Sequence, residues 1–233
     1  MMLGLGLSLC SRTGASYSPS QLAGVAHWYR SDLGVTQSGG FVSQWSDQIG
    51  TAHLVQGTGA NQPAYNATDA AYNNQPTLQS TAVNMFLASG AAASTQAFTI
   101  WLVGEFSTAS GTMVGLVVGA SARPAIYRAG GNVTIDANTV LGSGVSSAAK
   151  HATLGVYNGG SSFVGVDNWL TGGVSGAAGA ANGIAIAVFA YTNGTFGTVG
   201  KCAEMIIQSG TPTAAEKTAM AAYFTARYAV TIT

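Results

Sequence analysis

Phe98-Thr-Ile-Trp-Leu-Val-Gly-Glu-Phe106 decides the fold. A strand turns successive side chains to opposite faces, so Phe98, Ile100, Leu102, Gly104 and Phe106 share one side and Thr99, Trp101, Val103 and Glu105 the other. Segments of the same kind recur on both flanks at the spacing of an all-β sandwich. Downstream they cover 112–118, 125–128, 132–135, 152–157, 162–166, 184–190 and 201–207; upstream they cover 25–30, 41–45 and 53–55. Asn158-Gly159-Gly160 joins two of them as a hairpin, because Asn and Gly accept the positive φ that tight turns need. The fold class expected is all-β: a two-sheet antiparallel jelly-roll sandwich.

The ends depart from this pattern. Ser18-Pro19-Ser20 predicts one capped helical turn, and the Asn- and Pro-rich stretch 61–76 predicts a long surface loop. Thr213-Ala-Ala-Glu216 is a capping box, and Met220, Tyr223, Phe224 and Arg227 follow at helical spacing, so one C-terminal helix is expected to lie against the sandwich. Nothing in the composition marks a second domain. The expected organisation is an extended N-terminal arm over 1–17 and a sandwich over 18–233. In the arm, Leu3, Leu5, Leu7 and Leu9 alternate with Gly and Ser and would share one face of a strand able to dock on a neighbouring sheet edge. The start, MMLGLGLSLC, lacks a positive leading region and a small-residue cleavage pattern, and Leu9 before Cys10 argues against a lipoprotein signal.

Of 233 residues, 47% are hydrophobic and only 7% charged, where about 25% charged is usual. Hydroxyls, amides and 32 glycines take the place of ions at the surface, which fits a protein working outside a cell or within an assembly. The formal net charge is zero, with eight scattered basic residues and no basic run, so no nucleic-acid partner is expected. The uncharged stretch 168–200 is too rich in Gly, Ser, Thr and Asn to be a membrane span. Cys10 and Cys202 match no metal spacing.

In order along the chain, several segments resemble the concanavalin A-like lectin/glucanase superfamily, in particular its laminin-G-like domains. Leu22-Ala-Gly-Val-Ala-His-Trp-Tyr-Arg-Ser-Asp32 resembles the opening "GLVAWYRAD". Val42-Ser-Gln-Trp-Ser-Asp-Gln-Ile-Gly50 resembles "VSxWxDxSG", with His53-Leu54 as the following "HL". The strand beginning at Phe98 resembles "FTIFAVV", and Val164-Gly-Val-Asp-Asn168 the "VDG" hairpin, with Asn168 where Gly is usual. The close, from Ala203-Glu-Met-Ile-Ile207 through Thr213 to Tyr228, resembles the family's last strand and helix. The resemblance implies a concanavalin A-like sandwich. Because such domains are common in phage proteins, and because the Leu–Gly opening resembles phage structural genes, it also implies a virion.

Catalytic chemistry is not expected. Glucanases of the superfamily use a Glu-x-Asp-x-Glu strand, which puts three carboxylates on one face. Here Glu105, Glu204 and Glu216 stand apart. His27, His53 and His151 accompany no nucleophile motif. Asp32, Asp47, Asp136 and Asp167 are candidate calcium ligands by residue type, but no Asp-x-Asp cluster exists and Asp47 and Asp167 suit turns, so no metal and no cofactor are expected. A sugar site needs an exposed aromatic ring beside amides. Trp169 with Asn168, and Tyr191 with Asn193, are the candidates; Tyr65 and Tyr72 lie in the Asn-rich stretch, and Trp28, Trp45 and Trp101 suit the core.

The function expected is therefore a non-enzymatic bacteriophage virion structural protein, a capsid decoration or a tail or fibre appendage. It would be displayed on the particle surface, partnered by other virion proteins and by copies of itself. The alternatives are a carbohydrate-binding module for cell-surface glycans and a degenerate glycoside hydrolase.

Overall fold

The computed structural model describes residues 17–116, 124–145 and 148–233, and in them two antiparallel sheets face each other with one helix laid outside. In chain order the strands are β1 (Val25–Arg30), β2 (Val35–Ser38), β3 (Phe41–Trp45), β4 (Leu54–Val55), β5 (Ala64–Asp69), β6 (Gln75–Ser80), β7 (Leu87–Ser94), β8 (Phe98–Phe106) and β9 (Gly111–Gly115). They continue as β10 (Pro124–Ala129), β11 (Asn132–Ala137), β12 (Val140–Gly142), β13 (Lys150–Tyr157), β14 (Ser162–Val166), β15 (Val174–Gly176), β16 (Gly183–Val188) and β17 (Gly200–Ser209), before the helix α1 (Ala214–Tyr228).

The strand β8 lies inside the first sheet, between β13 and β17. Beyond β13 come β14 and β15; beyond β17, β1 pairs with its second half and β6 with its start. The second sheet runs β2-β3-β4-β7-β16-β9-β10-β11-β12. The hairpin of β5 and β6 carries the ladder from one sheet to the other. The all-β sandwich with one C-terminal helix is the architecture read from the sequence.

Alternation along β8 explains why both its faces are apolar. Phe98, Ile100, Leu102 and Phe106 enter the core between the sheets with Tyr29, Trp45, Ile126 and Met205. Trp101 and Val103 enter a second core on the outer face, with Trp28, Leu154, Ile206 and the helical Met220, Phe224 and Tyr228. Each such side chain contributes about 1.5–3 kcal/mol by leaving water. The capping box starts α1 as its sequence requires: Thr213 Oγ1 accepts from the Glu216 N–H, and the Glu216 carboxylate accepts from the Thr213 N–H.

One expectation is corrected. The stretch 61–76 is no surface loop: it holds β5, a short 3-10 turn at Ala70–Tyr72 and the start of β6, with Tyr72 fully buried. Its asparagines mark a tight turn within a hairpin, since Asn73 and Asn74 hold φ of 56° and 59°. Asp69 fixes that turn by accepting from the Ala71 N–H, the Thr77 hydroxyl and Lys201 Nζ. Leu3, Leu5, Leu7, Leu9 and Cys10 lie outside the described residues.

Candidate functional site

A cleft of about 640 Å³ opens where β9 and β10 meet the segment 189–198 that leads into β17. Backbone bonds hold that segment in place: the Phe189 N–H donates to the Met113 carbonyl (2.7 Å), the Thr112 N–H to that of Phe196 (2.7 Å) and the Thr198 N–H to that of Phe189 (2.8 Å). Glycine permits the approach. A Cβ on Gly197 would overlap the Val83 carbonyl oxygen, and one on Gly111 the Gly197 carbonyl. Three distant stretches of chain therefore meet backbone to backbone under the cleft.

Phe196 stands at its mouth, 59% exposed, with its backbone at φ 53°. A bulky side chain in the left-handed region costs about 1–3 kcal/mol. Its ring meets Tyr191 edge-on, with centroids 5.7 Å apart and planes at 68°. Tyr127, half-buried on β10, adds a third ring, and Thr108, Ser110 and Thr112 line the cleft beside it. Arg128 completes the wall; its Nε donates to the Gly131 carbonyl (2.7 Å) and its Nη1 to those of Phe106 and Thr108 (3.1 Å each). No Asp or Glu lines the cleft. Aromatic faces beside hydroxyls suit a ligand with both C–H and O–H surfaces.

The residues singled out from sequence separate. Tyr191 lines this cleft, packed under Phe196. Asn193 serves its own turn, its side-chain oxygen accepting from the Thr195 N–H and hydroxyl. Trp169 is 3% exposed in the core beneath α1, edge-on to Trp101 and Phe224, and donates Nε1–H to the Lys217 carbonyl. Asn168 accepts from the Val166 N–H and shapes the turn before it. Tyr127, Arg128 and Phe196 were missed. Only Phe196 carries a local signal, an aromatic set among Asn193, Gly194 and Gly197 in a segment otherwise built for turning.

Every acidic side chain is already engaged. The chain has eight, all among the described residues. Asp32 takes Arg30 and Arg227 (2.6 Å each). Asp47 and Asp167 each place one oxygen 2.6 Å from a histidine Nδ1, His27 and His151 respectively, and the other on the backbone N–H of the residue after that histidine. The arrangement is a clasp used twice, tying a turn to the strand beside it. Burial works against the Asp47 carboxylate, but the bonds from His27 and from backbone N–H groups prevail and bring it down to about 2. Asp69 holds Lys201, Asp136 accepts from the Asn138 N–H, Glu105 accepts from the Ser107 hydroxyl and Glu216 caps α1. His53 Nδ1 accepts from the Asp47 N–H.

Glu204 is the most enclosed of them. On β17 it faces the outer core, where Trp28 Nε1–H (2.6 Å), the Tyr228 hydroxyl (2.7 Å) and the Tyr223 hydroxyl (3.0 Å) donate to it. Complete burial pushes its carboxyl up to about 7 against those three bonds. This is a structural hub under α1, on the face away from the core between the sheets.

No protein-family model and no curated protein sequence matches the chain. Solved structures do match. Trypanosoma rangeli sialidase in complex with the inhibitor DANA aligns with a TM-score of 0.57 at 9% identity, over 88% of this chain and 33% of that one. A GH54 α-L-arabinofuranosidase soaked with a cyclic sulfate inhibitor aligns with a TM-score of 0.60 at 15% identity, over 93% and 62%. An arabinofuranosidase complexed with arabinofuranosyl-α-1,2-xylobiose gives 0.56 at 15%, over 89% and 60%. What is shared is the fold. The chain spans a third of the sialidase and about three-fifths of each arabinofuranosidase.

These neighbours correct the expected function. The architecture is found here among glycoside hydrolases, and the phage, virion and capsid assignments have no support in it. The reading as a virion structural protein is withdrawn.

Proposed function

We propose that this chain is a degenerate glycoside-hydrolase-type sandwich that binds glycan without cleaving it, with the cleft at Phe196 as its sugar site. One observation carries the reading: an exposed aromatic ring is held on a strained backbone over an acid-free cleft lined by hydroxyls. The C–H face of a sugar would stack on Phe196 and Tyr127, and its hydroxyls would meet Thr108 and Ser110.

The placement of the acids supports a reading without cleavage. Glycoside hydrolysis of the usual kind needs two carboxyl groups flanking the bond, about 5–9.5 Å apart. In this chain all eight are engaged: in clasps, a helix cap, ion pairs, the Glu204 hub or, for Asp136 and Glu105, a hydrogen bond from a residue two places on. Glycosidases of the same architecture support the ligand class. They do not transfer their chemistry, because fold does not fix function.

The test is to incubate the protein with a panel of oligosaccharides that includes arabinofuranosyl-xylobiose and sialyllactose, following binding by calorimetry and products by mass spectrometry. Binding with every glycan recovered intact is the expected result. Turnover of any of them, or no binding across the panel, overturns the reading.

A further inference from the structure

Arg128 sets a positive charge into the wall of the cleft, and no carboxylate answers it. The other basic groups engaged in ion pairs have acidic partners: Arg30 and Arg227 share Asp32, and Lys201 holds Asp69. Arg128 has none among the described residues. The segments outside them contain no Asp or Glu to supply one.

Arg128 is 7% exposed as a residue, so most of it is removed from water. A buried cation is costly unless it is paired or well hydrogen-bonded. Three backbone carbonyls, those of Gly131, Phe106 and Thr108, offset part of that cost and fix the plane of the fork. They engage Nε and Nη1; Nη2 makes no hydrogen bond among the described residues. The result is a rigid, incompletely neutralised cation beside an exposed aromatic ring, in a cleft without an acidic side chain to repel an anion.

We infer that the cleft takes a glycan bearing an acidic group, a carboxylate or a sulfate, with Arg128 Nη2 as the donor to that group. This rests on the glycan-binding reading and narrows it. Nη2 keeps two N–H donors on an always-charged group, and such hydrogen bonds to an anion are roughly twice as strong as neutral ones. Ser110 and Thr108 line the same cleft and supply hydroxyls for the rest of the ring.

The test uses three probes on one core: lactose, sialyllactose and sulfated lactose, titrated into the full chain at low and high salt. The acidic probes are expected to bind about tenfold more tightly than lactose at low salt. That advantage should shrink severalfold near 1 M salt, where charges are screened within about 3 Å. A preference for the sialylated probe alone assigns the group as a carboxylate, and equal gains from both assign it as any anion. Arg128→Gln should abolish the advantage. Since Arg128 also ties three carbonyls together, Phe196→Ala in the intact wall serves as the second variant and should weaken acidic and neutral probes alike. Lactose binding as tightly as the acidic probes, still sensitive to Phe196→Ala, overturns this inference and leaves the glycan site standing. Failure of all three probes, or acidic binding untouched by Phe196→Ala, overturns both.

Discussion

Phe196 meets Tyr191 edge-on at 5.7 Å while its own backbone occupies the left-handed region at φ 53°. The two facts belong together. Folding gains little from a ring that remains 59% exposed, and the backbone conformation that carries it is unfavourable for a large side chain. A largely exposed aromatic ring held at a local cost is what a binding surface requires, because part of the ring must stay accessible.

Phe196→Gly separates the two roles. Glycine accepts φ near 53° without strain, so stability should stay unchanged or rise by up to about 1 kcal/mol. Glycan affinity should fall by about tenfold, equivalent to about 1.4 kcal/mol. Denaturant melts and calorimetric titration on the same preparation check both. A loss of stability with affinity kept would assign Phe196 to packing.

Trp169 behaves in the opposite way. It fills the outer core between Trp101 and Phe224, so Trp169→Ala should cost about 3–5 kcal/mol of stability through the cavity it leaves. Whatever fraction folds should bind glycan as the parent does. Chemical denaturation and titration of the folded fraction decide the matter, and selective loss of binding would restore Trp169 as a sugar platform.

The Glu204 hub sets a pH dependence. Its carboxyl titrates near 7 in the folded chain because burial disfavours the charge, against an ordinary value of 4.5. A raised folded-state value means that the contribution is fully present below 4.5 and is lost as pH rises through about 7. Glu204→Gln removes that slope and leaves the Tyr223 and Tyr228 hydroxyls poorly matched, a loss of about 1–3 kcal/mol at pH 5. The deficit against wild type should narrow between pH 5 and pH 8 in parallel urea melts. A deficit that widens with pH would show that the buried group is held as a stabilised anion.

No glycosidase activity is expected on arabinofuranosyl or sialyl substrates. Glu105, the carboxylate that ends the central strand β8, is bonded to the Ser107 hydroxyl and lies outside the cleft. Sensitive product analysis of wild type and Glu105→Gln should give the same blank result. Turnover that disappears in Glu105→Gln would make this strand end an active site.

Much of the fold was legible because it follows local rules. Alternation placed Phe98 and Trp101 on opposite faces of β8, and the Thr213–Glu216 pair marked where α1 begins. The hairpin of β5 and β6 was hidden because Asn73 and Asn74 signal turning without saying whether strands flank the turn. The site was harder to read. Tyr191 stood out as an aromatic beside turn residues, but the exposure of Phe196 depends on Val83, Gly111 and Gly197 meeting across the fold. Trp169 had the same local appearance as Tyr191, and only the docking of α1 over it sends it into the core. Arg128 carries no local mark, since the three carbonyls that fix it come from two different turns and the end of β8.

The most direct measurement is the binding of wild type and Phe196→Ala, matched for thermal stability, to one immobilised panel of neutral and acidic oligosaccharides, with the bound glycans recovered and weighed by mass spectrometry. Wild type should retain a subset of glycans at unchanged mass, and Phe196→Ala should lose that subset about tenfold while melting as the parent does. An identical pattern for the two proteins, or recovered glycans shortened by a sugar, would contradict a non-cleaving glycan site at this cleft.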